Sequence, residues 1–353
     1  MSIIEDNASA TVRTLTIDQK SDWVDLVNRA VETDFYHSWH YHALAKTGTP
    51  LLFVHQERDD FIALPLLKRE ISKTSYFDLH SVYGYSGPIS NFTFANIPSK
   101  LRARFKNSFL NFLEAENIVS VFSKMHPFFE QEIVLEQFDG LYDNGKTVAI
   151  DLRNPIEIQR KKYRQTTLDS VKKCRKMGFQ IKDCSSQEQI AAFTLLYQQN
   201  MHRINASEFY LFTEEYFTKL LTTDEYSAKL ILVYDGDKII CGSIIMCNNG
   251  IIQGHLIATN AQYLRYSPAK FLVDEVSLLG RTIGMSYYHL GGGLGFKENS
   301  LFEWKLGFSD LTLDYKSWRY IANPIAYNDL VLQTGNSIDD KVDFFPLYRM
   351  SNQ

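Results

Sequence analysis

The residues best suited to chemistry fall in four stretches. The first is basic: Arg160-Lys161-Lys162-Tyr163-Arg164, then Lys172-Lys173 and Arg175-Lys176, opposed only by Asp169. A helix over 157–176 puts Lys161, Arg164, Lys172 and Arg175 roughly along one side. Such a stripe suits phosphates, or a single-stranded or tRNA backbone, because lysine and arginine displace condensed counterions there. Its other reading is a solvated helix face. The second stretch is His289-Leu290-Gly291-Gly292-Gly293-Leu294-Gly295. Glycines directly after a strand let backbone N–H groups approach a ligand closely. Lys297 and Glu298 stand where a dinucleotide-binding helix would start, so this is no G-x-G-x-x-G, and no P-loop either. The alternative is a tight strand-to-helix turn.

The third stretch runs from Ser300 to Phe308 and sets Lys305 among Phe302 and Trp304. That lysine either faces a polyanionic ligand or snorkels from a helix face. In the fourth, Tyr83-Gly84-Tyr85-Ser86-Gly87-Pro88, two tyrosines at a glycine turn either wall a cleft or end a strand. His37, His40 and His42 imitate a metal cluster, but no cysteine or acidic ligand stands at a standard spacing, so no metal is expected. The G-x-S-x-G elbow is absent, and neither Cys174 nor Cys241 has a histidine partner nearby in sequence.

These residues need elements to hold them. The chain has 353 residues, which at about 150 per domain predicts two domains. Hydrophobic residues make up 45% and charged ones 22%, as in ordinary globular proteins. A net charge of -4 excludes a global basic field for duplex DNA and leaves room for a local patch. Four cysteines are too few for a disulfide scaffold and read as reduced thiols. The N-terminus is acidic and lacks an apolar core segment, so no signal peptide is expected. No apolar run approaches about 18 residues, so no membrane span is expected, and a reducing cytoplasm is the default compartment.

Helical spacing appears at 18–31 and 98–117, and again at 187–201, 214–221, 268–283 and 300–306. Strands read at 51–56, 61–68 and 118–122, with Pro65 marking an edge position or a bulge. Asp235-Gly236 and Asn248-Asn249-Gly250 divide residues 230–259 into a three-stranded meander. Further strands read at 287–290 and 308–315. Hairpin, strand, helix, strand thus recurs at an offset of roughly 170–180 residues. This predicts a mixed-sheet α/β fold in two copies, with domains at 1–150 and 151–353.

RKKYRQTTLDSVKKCRKMGFQI, FTLLYQQNMHRINASEFYLFTEEYF, SPAKFLVDEVSLLGRTIGMSYYHLGGG and NSLFEWKLGFS follow one another in an order that resembles the Fem-like family. These are tandem GNAT-fold acyltransferases, best known as aminoacyl-tRNA-dependent enzymes that build peptidoglycan cross-bridges. The resemblance is dense over 150–330 and fainter over 35–125, where YGYSGP and the hairpin carry it. It implies two tandem GNAT-like domains and transfer of an acyl or aminoacyl group to an amine. The donor would be acyl-CoA or aminoacyl-tRNA, with tRNA as an open partner. The acceptor would be a small molecule, nucleotide-sugar or cell-wall precursor. Lys305 would be the donor-side cation, with Ser267, Pro268 and Lys270 starting the helix that faces the cleft. The basic run would lie near acceptor or tRNA phosphates, and Tyr83, Tyr85 and Arg203 would contact the acceptor.

Two family features are missing: a long helical-hairpin arm, and the Arg/Gln-x-x-Gly-x-Gly/Ala signature for acetyl-CoA, since NAQYLRYSPAK holds no glycine. Aminolysis of an activated ester needs an aligned amine, a stabilised oxyanion and a proton acceptor. Lys305 and the Gly291–Gly293 backbone fit the oxyanion. Glu303, His255 and Asp78 fit the proton acceptor by residue type alone. A CoA-dependent N-acyltransferase acting on a sugar amine, and a non-catalytic binding protein that keeps the tandem shell, are the other readings.

Overall fold

The computed structural model describes residues 10–338 and 342–350. The first nine residues, part of the stretch read above for a signal peptide, lie outside the described residues. The chain divides into two compact units, one of residues 10–144 with 315–350 and one of residues 145–314.

The first unit opens with β1 (Ala10–Thr16), α1 (Lys20–Arg29) and α2 (Trp39–Ala43). The meander β2 (Thr49–Glu57), β3 (Asp60–Glu70) and β4 (Phe77–His80) follows, then β5 (Ile89–Ser90). Next come α3 (Ser99–Ala115), β6 (Ile118–Lys124) and α4 (Glu132–Leu135). Neighbouring strands pair antiparallel from β1 to β4, and β4 pairs parallel with β6. Pro65 stands opposite Leu52 of β2. On its other side, β5 pairs at Ile62 and Ala63 and β4 only from Leu67 onward. The missing proline N–H therefore falls in a gap between partners. Leu101, Phe105, Phe109 and Leu113 are the buried stripe of α3, packed with Phe53 and Trp318.

The second unit holds β7 (Leu141–Asp151) from Gly145 onward, then α5 (Ile156–Lys161), α6 (Gln165–Lys176) and β8 (Gln180–Cys184). α7 (Gln187–Arg203) and α8 (Glu214–Leu221) lead into the meander β9 (Ser227–Asp235), β10 (Lys238–Asn248) and β11 (Ile251–Thr259). α9 (Pro268–Thr282), β12 (Tyr287–Gly291) and α10 (Ser300–Leu306) complete it. Gly236 (φ 57°) and Asn249-Gly250 (φ 44° and 78°) make the two left-handed turns of the meander. The strand order is β7-β12-β11-β10-β9-β8, with β11 and β12 parallel and the other pairs antiparallel.

β13 (Leu311–Ile321) leaves the second unit after Asp314 and pairs antiparallel with β6 in the first, ahead of α11 (Pro324–Gln333). The repeated order read from the sequence is therefore present in both units: a meander whose last strand pairs parallel with the strand after a long helix. The boundary differs from a single cut at 150. The chain returns after Asp314, because Trp318 on β13 is fully buried against Phe109 and Phe138. No helix among the described residues is long and apolar enough to cross a membrane.

The expected single helix over 157–176 is two helices. Backbone turns close α5 at Lys162 and Tyr163, and Tyr163 buries its ring against Phe308. Arg164 is extended (ψ 145°), and its N–H donates to the carbonyl of Gly307. The break redirects the basic run onto α9. Arg160 of α5 donates twice to the buried Asp274 carboxylate (3.1 and 2.7 Å), and Arg175 of α6 reaches the same carboxylate at 2.6 Å. Asp274→Ala removes the shared acceptor of both guanidiniums. Breaking a buried ion pair costs about 3–5 kcal/mol, and the partial exposure of the arginines places this loss near the lower figure. Urea unfolding of the variant against wild type measures it.

Candidate active site

The parallel strands β11 and β12 pair over only three residues each, Ile251–Gln253 with Tyr287–His289, and then part. Irregularities flank the parting on both sides. The β10–β11 register shifts around His255, and the β12–β7 register shifts between His289 and Gly291. Bulges of this kind bend a strand away from its neighbour. At the fork itself, His289 Nδ1 and Gln253 Oε1 are 2.6 Å apart, with both residues buried. Gly254 belongs to this close packing, since a Cβ there would meet the His289 carbonyl and the Tyr288 ring, each at 3.3 Å.

Beyond the fork the chain turns through Gly291, Gly292 and Gly293. A Cβ on Gly293 would stand 2.0 Å from the carbonyl oxygen of Lys297, so only glycine fits. Asn299 caps α10 by accepting from the N–H groups of Leu301 and Phe302. From the last turn of α10, Lys305 Nζ donates to the Gly292 carbonyl at 2.6 Å. Loss of hydration pushes the Lys305 ammonium down to about 8.

A second group of cations gathers where α9 begins. Ser267 adopts a left-handed conformation (φ 56°, ψ 50°) that glycine usually supplies, and Pro268 starts the helix. Lys270 Nζ donates to the Thr166 carbonyl at 3.5 Å, and its pKa is lowered by burial and then by the nearby Arg164. Arg164 donates to the Glu303 carboxylate (2.5 Å) and to the Glu303 carbonyl (3.0 Å). Lys173 and Arg265 both stand over the ring of Tyr266, at 5.0 and 4.7 Å. Arg164 thus stands near Lys270 and is bonded to Glu303, two residues before Lys305 on α10.

The basic run is largely engaged. Arg160 and Arg175 hold Asp274, Arg175 also reaches Glu275, Lys162 pairs with Asp310 at 2.7 Å, and Arg164 pairs with Glu303. These acids lie far along the chain, so the expectation that only Asp169 opposes the run is corrected. Lys161 and Lys172 are exposed and have no carboxylate partner among the described residues.

The other expected residues are scattered. His255 is buried at the β11 irregularity, two residues past Gln253. Asp78 lies in the first unit, fully buried, accepting from Arg69 (2.6 Å), Arg349 (2.9 Å) and Tyr348 (3.1 Å), so it acts as a structural ion-pair centre there. Tyr85 is buried with its ring against Tyr36, Tyr315 and His126. Tyr83 is half-buried, and its backbone carbonyl accepts from the Tyr41 hydroxyl. Arg203 ends α7 and donates to Asn200 Oδ1 at 2.8 Å. Burial lowers His37 to about 4 and His42 to about 3, so both are neutral at pH 7. Among the described residues no group of three His, Cys, Asp or Glu side chains could hold a metal. Burial likewise pushes the Cys174 thiol up to about 11 and that of Cys241 to about 12. Gln253 was not singled out in the sequence, where it reads as one polar residue in a strand.

Residues 161–306 match the family model described as an acetyltransferase (GNAT) domain. Over the whole chain, the structure superposes on the crystal structure of FemX with a TM-score of 0.67 at 12% identity, covering 90% of this chain and 98% of that one. This is a GNAT fold of the FemX type. The C-terminal domain of a putative lysylphosphatidylglycerol synthetase from Agrobacterium fabrum is similar at a TM-score of 0.55 and 15% identity, covering 88% of this chain and 92% of that one. L-PGS from Bacillus licheniformis gives 0.53 at 12%, covering 75% and 83%. No curated protein matches the sequence. The GNAT-matched span contains the fork, the glycine turn, Lys270 and Lys305.

The lowered pKa of Lys305 has a consequence for stability. Between about pH 8 and the ordinary lysine value near 10.4, the unfolded chain carries a proton on Lys305 that the folded chain has released. Stability therefore rises with pH in that window. Lys305→Met lacks this gain, so wild type should gain melting temperature relative to the variant from pH 7.5 to pH 10. Melting curves at both pH values check it, and an unchanged difference would contradict the desolvated environment.

Proposed function

We propose that the second unit is an N-acyltransferase that moves an acyl or aminoacyl group from an activated, phosphate-bearing donor to an amine. The observation that carries this reading is the fork between β11 and β12, with Lys305 pinned to the glycine turn at its mouth. In the reaction the amine nitrogen bonds to the acyl carbon. The carbon–sulfur or carbon–oxygen bond to the donor breaks, and the donor leaves as a thiol or hydroxyl. The amine must give up one proton on the way. The Lys305 ammonium supplies positive charge beside the developing oxyanion, and the N–H groups of Gly291–Gly293 supply donors. Of the candidate proton acceptors, Asp78 and Glu303 are both engaged by arginine, which leaves His255 as the one this reading favours.

The cations around the start of α9, Lys270, Arg164, Lys173 and Arg265, support phosphate binding by the donor. A short donor such as acyl-CoA fits better than a long polyanion. Of the four cations first read as a stripe, Arg164 and Arg175 already have carboxylate partners. The resemblance to the Fem-like family supports an acceptor amine from a cell-envelope or nucleotide-sugar precursor. A fold relative named as a putative lysylphosphatidylglycerol synthetase keeps an aminoacyl donor in view. Four buried cysteines, with no disulfide among the described residues, support a cytoplasmic setting.

Thermal-shift titration with acetyl-CoA and with aminoacyl-tRNA separates the donors. Acetyl-CoA should stabilise the protein, with a log–log salt slope of only one or two units at roughly 0.7–0.9 per phosphate contact. A steep slope for tRNA, lost in the Lys161→Gln/Lys172→Gln variant, would reverse the choice, and stabilisation by neither would favour a binding protein without catalysis. Lys305 gives a separate check. Activity should fall as pH rises through about 8, where its ammonium discharges. Lys305→Arg should move that fall to higher pH, and Lys305→Ala should lose most turnover while staying folded. Wild-type rates for Lys305→Ala would remove the residue from the mechanism.

A further inference from the structure

A cavity of about 400 Å³ opens in the second unit beside the last turn of α7, the start of β10 and the turn after β11. Arg203, Lys238, Thr259 and the amides Gln199, Asn200, Asn260 and Gln262 give it its polar character, and no carboxylate lines it. The orientation of each of three amides is set by a group that can only donate. Asn200 Oδ1 accepts from Arg203 Nη2 at 2.8 Å and from the Thr259 N–H at 3.5 Å. Asn260 Oδ1 accepts from the Gln262 N–H at 3.0 Å. Gln262 Oε1 accepts from Lys238 Nζ at 2.9 Å. Guanidinium, ammonium and backbone N–H have no acceptor lone pair, so each amide must turn its oxygen toward them. The three NH₂ groups then have no hydrogen-bond partner among the described residues. These amides and the two cations belong to the residues that line the cavity.

Across the β9–β10 hairpin the register partner of Lys238 is Asp235. That carboxylate accepts from the Tyr263 hydroxyl at 2.9 Å, while the Lys238 ammonium stands over the Tyr263 ring at 5.1 Å. A site with two cations, amide donors and no carboxylate favours a group with acceptors and negative charge. The volume lies within the roughly 300–1,000 Å³ of small-molecule sites and far above the ~30 Å³ share of one water.

We propose that this cavity binds a small polar metabolite through an oxyanion, a carboxylate or a phosphate. The cavity residues include neither the fork nor Lys305, but Asn260, Ala261 and Gln262 open the stretch before α9 in which the acetyl-CoA signature is missing, so the test reads binding rather than acyl transfer. Isothermal titration of the full chain in a low-ionic-strength chloride buffer tests it, with inorganic phosphate and succinate as separate probes. At least one probe should bind saturably. Its affinity should fall at least about tenfold in Arg203→Gln/Lys238→Gln, since each change removes a charge-assisted contact at an exposed side chain. Asn200→Asp keeps the oxygen that receives Arg203 and Thr259 but replaces the donating NH₂ with a charged acceptor. It should also abolish binding, and if it fails to fold, the double variant decides alone. Phosphate binding without succinate binding assigns a phosphate ligand, and the converse a carboxylate. No saturable binding of either probe to wild type, or equal affinity in the double variant, overturns the proposal.

Discussion

Asp274 has no exposed surface, and it fixes much of what surrounds the candidate site. An ionised carboxylate inside a protein must be paired and hydrogen-bonded. Arg160 and Arg175 meet that demand from two successive helices, and so lay α5 and α6 across α9. The break between those helices brings the Arg164 backbone to Gly307 and its side chain to Glu303. The same break sets Arg164 beside Lys270 at the start of α9. One buried charge therefore helps to set where the cations at the start of α9 stand. The first unit uses the same device at Asp78, gripped by Arg69 and Arg349. Asp78 is on a strand and Asp274 on a helix, so the device is not part of the structural repeat. It is a solution that a buried carboxylate calls for wherever it occurs.

The fold was readable because its signals are local. Leu101, Phe105 and Phe109 show their helix by spacing, and Asp235-Gly236 and Asn249-Gly250 show the meander by turn chemistry. Helices 214–221 and 300–306 begin and end where the pattern places them. The return of the chain after Asp314 was not readable, because the partner of β13 is nearly two hundred residues away on β6. A strand's pattern says that it is buried and not which neighbour buries it.

The site was legible in part, for the same reason. The glycine turn and Lys305 announce themselves by residue type. The partners of the basic run do not, since Asp274, Glu275, Glu303 and Asp310 lie about 100 to 150 positions away from it. A charge count within the segment read an excess that the fold neutralises. Gln253 shows the opposite failure. Its importance comes only from standing where two parallel strands part, a property of register that no residue type signals. Ser267 is a third case. No glycine stands between 260 and 270, yet the left-handed turn forms with serine. Absence of a favoured residue raises the cost of a conformation without forbidding it, provided the surrounding structure imposes it.

The sequence of Lys305 allowed two readings, a snorkelling side chain and a ligand-facing one. A snorkelling lysine carries its ammonium into water and keeps an ordinary affinity for protons. Lys305 directs its ammonium to the Gly292 carbonyl, and loss of hydration weakens its hold on the proton. A neutral side chain of similar length would fill the same space without that penalty. On the reading proposed above, a negatively charged group bound at the adjacent glycine turn and strand fork would offset that penalty. The cavity at the far end of β11 follows another principle. Its cations remain exposed and hydrated, and its selectivity comes from amides turned by their own partners. Lys305 is suited to stabilising charge that develops during a reaction, where desolvation strengthens each interaction. The cavity is suited to holding charge that is already present, with little reorganisation when a ligand arrives.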